Sequence, residues 1–596
     1  MKTLLWKRLL GLGLVVGLAS GVVLADSAKP ASETKTEAAA SATTIDEKII
    51  EEISKNSKLM KNLQYLCDVI GPRVTGSAKL EKANNWAADK MKEYGLENVK
   101  LEPYEIPVGW ERGTASMTLV EPNPGKQMIV ASAAWVPGTK GKITGPVVFI
   151  DAKTKEDLEK YKGKLKDAIV LRSPPAEIKP ISDLSYLNPA QRPAQPATPM
   201  GTPAPMGTEV KKDEPKKDDT KKGEPKKEEP KKDAPAQPPA GGGGRGPGFG
   251  EMMALQRAMA DFLRAEGAAV MLRDSAKPHG LLTMSGSWPS GNPMGGAGDR
   301  ATPAPEPLPS LFITHEHYRM LYRLATMKDG TSPKVEVEIT NKFVPGPITV
   351  YNTVGEIRGS EKPDEFVVIG AHIDSWDLGT GATDNGTGTC TVLECARTLG
   401  ALAKAGFKPK RTIRFVLFSG EEQGLYGSKA YVKKHKDEME KTSCALVHDT
   451  GTGAVYGFGM QGREAVKKVL EPELESLKNV AGFKGLSLRS ISGTDHQSFE
   501  VVGVPGFACD QDMDEYRLTH HTQTDTFDHA KEENLVQGAK VMAITAMRVA
   551  NMKELLPRDK PVRPAGGGRG PGGPSGGTPP VEEKKAEEKK PPVEKK

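Results

Sequence analysis

Cysteine is scarce: Cys67, Cys390, Cys395, Cys444 and Cys509 are the only five in 596 residues. A small disulfide-stapled scaffold is excluded, and large apolar cores must carry the fold. Aromatic residues make up only 5% of the chain and give no sign of an aromatic-lined pocket. No HExxH string occurs, which disfavours a mononuclear zincin. The one GxSxG, from Gly573 to Gly577, lies in a Gly/Pro-rich tail with no strand before it, so a serine-hydrolase elbow is rejected. A basic binding face is missing as well. The net charge is +6, but most of the excess sits at Lys2, Lys7 and Arg8, in the Lys-rich run from Glu209 to Asp233, and in the tail after Pro580. What remains is nearly neutral, and nucleic acid is not an expected partner.

Lys2, Lys7 and Arg8 precede an apolar run from Leu9 to Ala25 that ends in small residues. This is the layout of a secretory signal, so residues 1–25 are expected to be cleaved and the protein exported, periplasmic or extracellular. An uncleaved membrane anchor is the alternative; after cleavage no membrane span is expected. Residues 26–43 lack periodicity and read as a linker, and residues 44–121 as the first part of the main domain. Ser77 should cap a helix whose apolar positions Leu80, Ala83, Ala87, Met91 and Tyr94 share a face, with Gly95 as its stop. Residues 122–340 read as a smaller inserted α+β domain, itself interrupted from 189 to 250 by a Pro, Lys, Glu and Gly segment that cannot offset the entropy of ordering. From 341 to 558 short apolar runs alternate with helical patterns. Phe366 to Gly370, Ile413 to Phe418 and Ala445 to Val447 have the unalternating character of strands covered on both faces. The fold class is therefore α/β, a mixed sheet flanked by helices. Residues 559–596 read as a second disordered stretch.

All ten histidines follow residue 278. Histidine and acidic residues fall just after the expected strands: His372 and Asp374, Glu421 and Glu422, and Asp449. Ligands bind at the carboxyl ends of strands in open α/β sheets. Imidazole and carboxylate together suit zinc, and a pair of ions needs several carboxylates to balance its charge. His372 and Asp374 share a face on an extended strand, so the carboxylate can orient the imidazole. Asp384 lies in the glycine-rich turn GTGATDNGTG, where the backbone allows close approach to a metal. Thr314-His315-Glu316-His317 resembles a ligand pair but opens an amphipathic helix and is read as its cap. Cys390 and Cys395 lack CxxC spacing and are read as helix packing.

The strings GAHIDSWDLGTGATDNGTG, FSGEEQGLYGS, ALVHDTGTG, SGTDHQSFEVVGVPG and HHTQTDT, in that order, resemble the dinuclear zinc exopeptidases, a family that includes bacterial aminopeptidases and glutamate carboxypeptidases. Further likeness lies in IGPRVTGSAKLEKA, LEPYEIPVGWERG and MKELLPR. The resemblance implies two zinc ions. His372 and Asp449 would bind one, Glu422 and His521 the other, and Asp384 would bridge them. Glu421 would be the general acid/base acting on a water between the ions, and Asp374 the carboxylate behind His372. It also implies that the smaller domain is protease-associated-like and covers the site, that short peptides or dipeptides are the substrates, and that a homodimer is a family expectation. His521 rather than His520 matches, because it directly precedes Thr522 and lies four residues before Asp525-Thr526.

There are departures. Asn385 follows the bridging Asp, as in the family's aminopeptidases, and His448 stands where a small residue is expected. Aminopeptidases of this family often supply a Tyr to polarise the scissile carbonyl; none stands near SGTDHQSF, and His496 or His520 would be the substitute the resemblance implies. Dipeptidase, carboxypeptidase and aminopeptidase activity all stay open. So do an aminopeptidase acting on longer peptides and a non-catalytic, receptor-like binding homologue.

Overall fold

The computed structural model describes residues 33–178, 247–289, 306–327, 332–513 and 515–559. The expected signal segment, most of the expected insert and nearly all of the expected tail lie outside the described residues. All sheet structure belongs to the compact unit that runs from Lys48 onward. Among the described residues no helix is long and apolar enough to cross a membrane.

The expected linker is already helical from Glu33, within a helix that extends to Asn56. Its Ala, Glu and Lys content carries enough helix propensity to override the missing apolar periodicity. The helix expected after Ser77 spans Ala78–Glu93; the Ser77 hydroxyl accepts from Leu80 N at 3.2 Å, and Gly95 adopts a left-handed φ of +84°. A later helix, Pro247–Ala265, begins inside the segment expected to be disordered up to residue 250.

Two eight-stranded sheets organise the rest. Across the first, the order is Glu97–Glu111, Lys342–Ile357, Arg411–Phe418, Lys362–His372, Thr442–Val447, Gly506–Gln511, Val455–Gly459 and Gly485–Ser487. The middle of this sheet is parallel: Lys362–His372 pairs with Arg411–Phe418 on one side and Thr442–Val447 on the other, and Thr442–Val447 pairs with Gly506–Gln511. Every residue of Arg411–Phe418 and Thr442–Val447 is buried, because helices cover both faces. Thr387–Lys404 and Glu532–Asn551 pack together on one face. On the other, Val368, Val416, Phe418 and Ala445 meet Tyr431, Val432 and Phe499.

The second sheet is formed wholly by the chain between Ala115 and Ile339, and includes the parallel strands Ile169–Leu171, Val270–Asp274 and Ser310–Ile313. The chain leaves the first sheet after Glu111 and rejoins it at Lys342, and the strands on either side of this excursion pair antiparallel. Thr314 is the N-cap residue of the helix His315–Thr326, but it makes no side-chain cap bond; its hydroxyl sits 3.1 Å from His317 Nδ1. His315 Nδ1 lies 2.9 Å from Asp274 Oδ2, so this histidine is paired with the strand Val270–Asp274. All five cysteines are buried and free, and burial raises the Cys67 and Cys444 thiols to about 12.

One polar cluster stands behind the first sheet. His435 points Nε2 at Glu102, 3.0 Å away, and Nδ1 at Glu438, 2.9 Å away. Arg414 joins Glu438 at 2.5 Å and Glu356 at 2.6 Å. Burial opposes charge on His435, but the two carboxylates raise its pKa. Burial likewise opposes ionisation of both acids, yet their partners bring Glu102 and Glu438 down to about 2. The His435 contribution to stability is thus complete below its unfolded value of about 6.5 and fades as pH rises through the raised folded value. The two acids contribute above their unfolded values and lose that contribution as pH falls toward about 2. His435→Leu should destabilise the protein by about 3 kcal/mol near pH ~6, since it strands buried Glu102 beside its remaining lysine neighbours. Denaturant melts should show that difference shrinking toward pH ~9; an equal loss at both would refute the assignment.

Candidate metal centre

The parallel strands deliver their chemistry at their carboxyl ends. His372 closes Lys362–His372, Glu421 and Glu422 follow Arg411–Phe418 across a two-residue turn, and Asp449 follows Thr442–Val447. His520 and His521 come from the loop beyond Gly506–Gln511. Asp384 enters from the turn before the helix Thr387–Lys404, and its peptide bond to Asn385 is cis.

These side chains converge on Asp384. Its Oδ1 is 3.3 Å from His372 Nε2, and its Oδ2 is 3.3 Å from His521 Nε2. On the first side His372 Nε2 also meets Asp449 Oδ1 at 2.9 Å; on the second, His521 Nε2 meets Glu422 Oε2 at 3.0 Å. Glu421 Oε2 lies 3.9 Å from His372 Nε2. Ligand atoms of His372, Asp384 and Glu422 fall within 4.8 Å of one another, as do those of Asp384, His520 and His521. His520 is the more distant imidazole, 3.7 Å from Asp384, with its ring stacked on His521 at 3.7 Å. His496 does not join the group: its Nε2 is engaged by Gln461 and by the Ile491 carbonyl.

Tautomers follow from the surroundings. His372 Nδ1 faces the Asp374 carbonyl oxygen at 3.0 Å and the Asp374 carboxylate at 3.5 Å, which reserves the Nε2 lone pair for the centre. The Asp374 carboxylate also accepts from Thr75 Oγ1 at 3.1 Å and from the amides of Glu421 and Glu422 at 3.3 Å each. One acid therefore orients the histidine and both glutamates.

Several supporting residues carry no distinctive motif. The Asp525 carboxylate accepts from Thr383 N at 2.5 Å, Thr383 Oγ1 at 2.8 Å and Asp384 N at 3.2 Å, fixing the turn that presents Asp384. Arg73 donates to the carbonyls of Gly71, Ile373, Thr380 and Gly381, at 2.6 to 3.0 Å, and so ties down both ends of the loop from His372 to Asp384. Gly381 is needed there: it has a φ of +66°, and a Cβ would lie 2.3 Å from the Ser375 side chain. Asn385 accepts from Gly388 N and donates to the His448 carbonyl, each at 2.9 Å. His448 itself is buried with neither ring nitrogen partnered, and burial lowers it to about 4, so it is neutral packing. Four of the six tryptophans gather beside the centre: Trp135 contacts Trp110, Trp288 and Trp376, and Trp376 lies edge-on to His521 at 5.9 Å. They are all buried and support the centre as a wall beneath it.

Electrostatically the centre is overloaded with buried acid. Burial pushes Glu421 well above the usual carboxylate range, with Asp449, Glu422 and Asp495 adding to the shift against His372. Burial and Asp384 bring Glu422 to about 7, and burial raises Asp495 and Asp525 to about 7. Asp384 goes the other way: burial opposes its charge, but His372 and His521 hold it well below the normal range. Burial opposes protonation of the two imidazoles as well, yet Asp449 leads in raising His372, and Glu422 leads in raising His521 to about 10. Asp384 Oδ2 and Glu422 Oε1 are buried and make no hydrogen bond. Unspent oxygen acceptors beside two imidazoles in an acid-rich space suit divalent cations. The 2.9 to 3.3 Å ligand spacings are close to the ~3.3 Å edge of a tetrahedron built on ~2.0 Å bonds.

Comparisons agree with this chemistry. Residues 352–546 match the model of Peptidase family M28. Carboxypeptidase Q from Mus musculus is 27% identical over 498 residues, covering 84% of this chain and 87% of the mouse protein; the Homo sapiens protein is also 27% identical, over 84% and 86%. In fold, the chain is similar to a peptidase M28 precursor from Shewanella amazonensis, with a TM-score of 0.63 and 24% identity over 88% of this chain and 100% of that one. It is also similar to BSAP, a zinc aminopeptidase from Bacillus subtilis, with a TM-score of 0.52 and 19% identity over 82% and 93%. Residues 352–546, which build the centre, carry the match to Peptidase family M28, and together with the likeness to carboxypeptidase Q they identify the chain as a metallopeptidase.

Proposed function

We propose that the protein is an exported exopeptidase that uses two zinc ions to hydrolyse short peptides or dipeptides. The observation that carries this reading is the symmetry about Asp384, whose two oxygens each face an imidazole at 3.3 Å, with Asp449 completing one side and Glu422 the other. His372, Asp449 and Asp384 would hold one ion; Asp384, Glu422 and His521 would hold the second. Bound zinc would supply Lewis acidity and lower the pKa of a water at the site.

The chain's own groups account for the proton traffic. Glu421 is held by its amide to Asp374 and stands beside the ligands without having its carboxylate committed to His372 at 3.9 Å. It takes a proton from the attacking water and returns it to the leaving amine, so no covalent enzyme intermediate is needed. His520 reaches Asp384 at 3.7 Å, and burial together with His521 keeps it neutral. A neutral imidazole there can donate a hydrogen bond to the substrate carbonyl, the task for which no tyrosine stands near SGTDHQSF. His496, tied to Gln461 and Ile491, is not the donor in this reading.

The second sheet, between Ala115 and Ile339, is proposed as the cover that limits access to short substrates. Supporting this are the contacts it sends to the centre, from Trp135 to Trp376 and from Trp288 to Tyr426. Export is proposed from the apolar N-terminal run of the sequence.

Glu421→Gln should lower kcat by about 10²- to 10⁴-fold with little change in KM and an undiminished zinc content. Metal analysis beside steady-state kinetics checks this, and wild-type turnover in the variant would remove Glu421 from the proton path. His372→Ala and Asp449→Ala should lose zinc as well as activity, which distinguishes holding the metal from moving the proton. Substrates with a free or blocked terminus decide the remaining choice. Free dipeptides should be cleaved, and cleavage should cease when the amine or the carboxylate that the enzyme requires is capped. If every blocked peptide is cut as fast as its free parent, the exopeptidase reading is wrong.

A further inference from the structure

The loop that carries His520 and His521 is held from the second sheet. Beyond the strand Val270–Asp274, Lys277 reaches across and donates from Nζ to the Arg517 carbonyl at 2.5 Å and the His520 carbonyl at 3.2 Å. Three residues later Gly280 accepts from Gln523 Nε2 at 3.1 Å, and the Leu282 amide donates to Gln523 Oε1 at 2.8 Å. The same segment then runs through Met284 to Trp288 in the apolar cluster that contains Trp376, and Trp376 lies against the His521 ring. Four hydrogen bonds and an aromatic wall therefore bracket one imidazole.

His521 needs such a bracket. Its φ is +59°, a left-handed conformation that a β-carbon residue adopts at a cost and keeps only when its surroundings impose it. Within the loop, Leu518 N bonds Glu515 O, His520 N bonds Tyr516 O and Thr522 N bonds Thr519 O, and these are one-turn contacts of a four-residue helix, Tyr516–Thr519, and its exit. So short a helix does not hold its shape alone. A lysine on its terminal carbonyls supplies both hydrogen bonds and favourable charge.

We propose that Ser275 to Trp288 is a latch from the second sheet, with Lys277 and Gln523 as positioning residues that hold His521 in ligating geometry. This rests on His521 being a metal ligand, and it adds that the covering sheet sets the metal affinity on the Glu422–His521 side. Lys277 acts through the 517–523 backbone, by its bonds to the Arg517 and His520 carbonyls.

The test uses the full chain as wild type, Lys277→Met, Lys277→Arg and Gln523→Ala. In the metal-free proteins, hydrogen exchange at the amides of Leu518, His520 and Thr522 should be about tenfold faster in Lys277→Met and near wild type in Lys277→Arg, because a charge-assisted pair is lost in one and kept in the other. On titration with zinc, Lys277→Met should fill its second equivalent with about tenfold weaker affinity, while the first is unchanged. kcat should fall with KM held. Gln523→Ala should move the same readouts in the same direction, and it serves if Lys277→Met does not fold. Wild-type exchange and wild-type second-zinc affinity in both Lys277→Met and Gln523→Ala would overturn the latch. A wild-type protein that takes up only one zinc would instead defeat the dinuclear reading, and the metal-free exchange measurement would still decide the latch.

Discussion

Everything around the centre answers one constraint, the crowding of carboxylates into a space that water barely enters. Asp374, Asp384, Glu421, Glu422, Asp449, Asp495 and Asp525 all come from strand ends and neighbouring loops of a single sheet. Burial raises most of them, because an isolated buried charge costs several kcal/mol. The imidazoles relieve only part of that cost. Cations are the natural complement, and two of the acids outside the proposed ligand set are given backbone amides instead: Asp374 takes those of Glu421 and Glu422, and Asp525 takes those of Thr383 and Asp384. Repulsion within the cluster must be restrained by the fold, and this explains why the surrounding loops are so heavily tied.

Arg73 shows how the restraint is achieved. One guanidinium gathers carbonyls from both ends of the loop that separates His372 from Asp384. Asn385 and Thr389 do similar work on the far side, the latter through a 2.7 Å bond to the His372 carbonyl. The proposed ligands are thus arranged by their backbones without help from a metal, a preorganisation that favours binding.

Much of the centre was legible in the sequence because strand-end chemistry is local. His372, Glu421, Glu422 and Asp449 each follow an apolar run that could only be a buried strand, and the runs were visible without alternation. The residues that escaped notice act over long separations and through the main chain. Nothing in the string around Arg73 says that its partners are carbonyls of residues 373, 380 and 381, and Asp525 served as a landmark in the sequence before its hydrogen bonds gave it a role. The tryptophans were too few to suggest a cluster, yet four of six converge from widely separated segments. The sequence predicts a cap at Thr314; the residue does stand at the N-cap position, but its hydroxyl turns to a histidine three residues on and makes no cap bond. The helix from Glu33 shows local propensity prevailing where periodicity was silent.

The excursion from Ala115 to Ile339 also has a consequence for how the chain assembles. Glu97–Glu111 has its pairing partner in Lys342–Ile357, so this edge of the first sheet must wait until the entire second sheet has been synthesised. During translation the second sheet can close on itself first, since all its strands lie within that one stretch, and doing so brings the two waiting strands near each other and shortens the loop that their pairing must close. The stretch proposed as the cover of the centre is then also the splint on which the first sheet is completed.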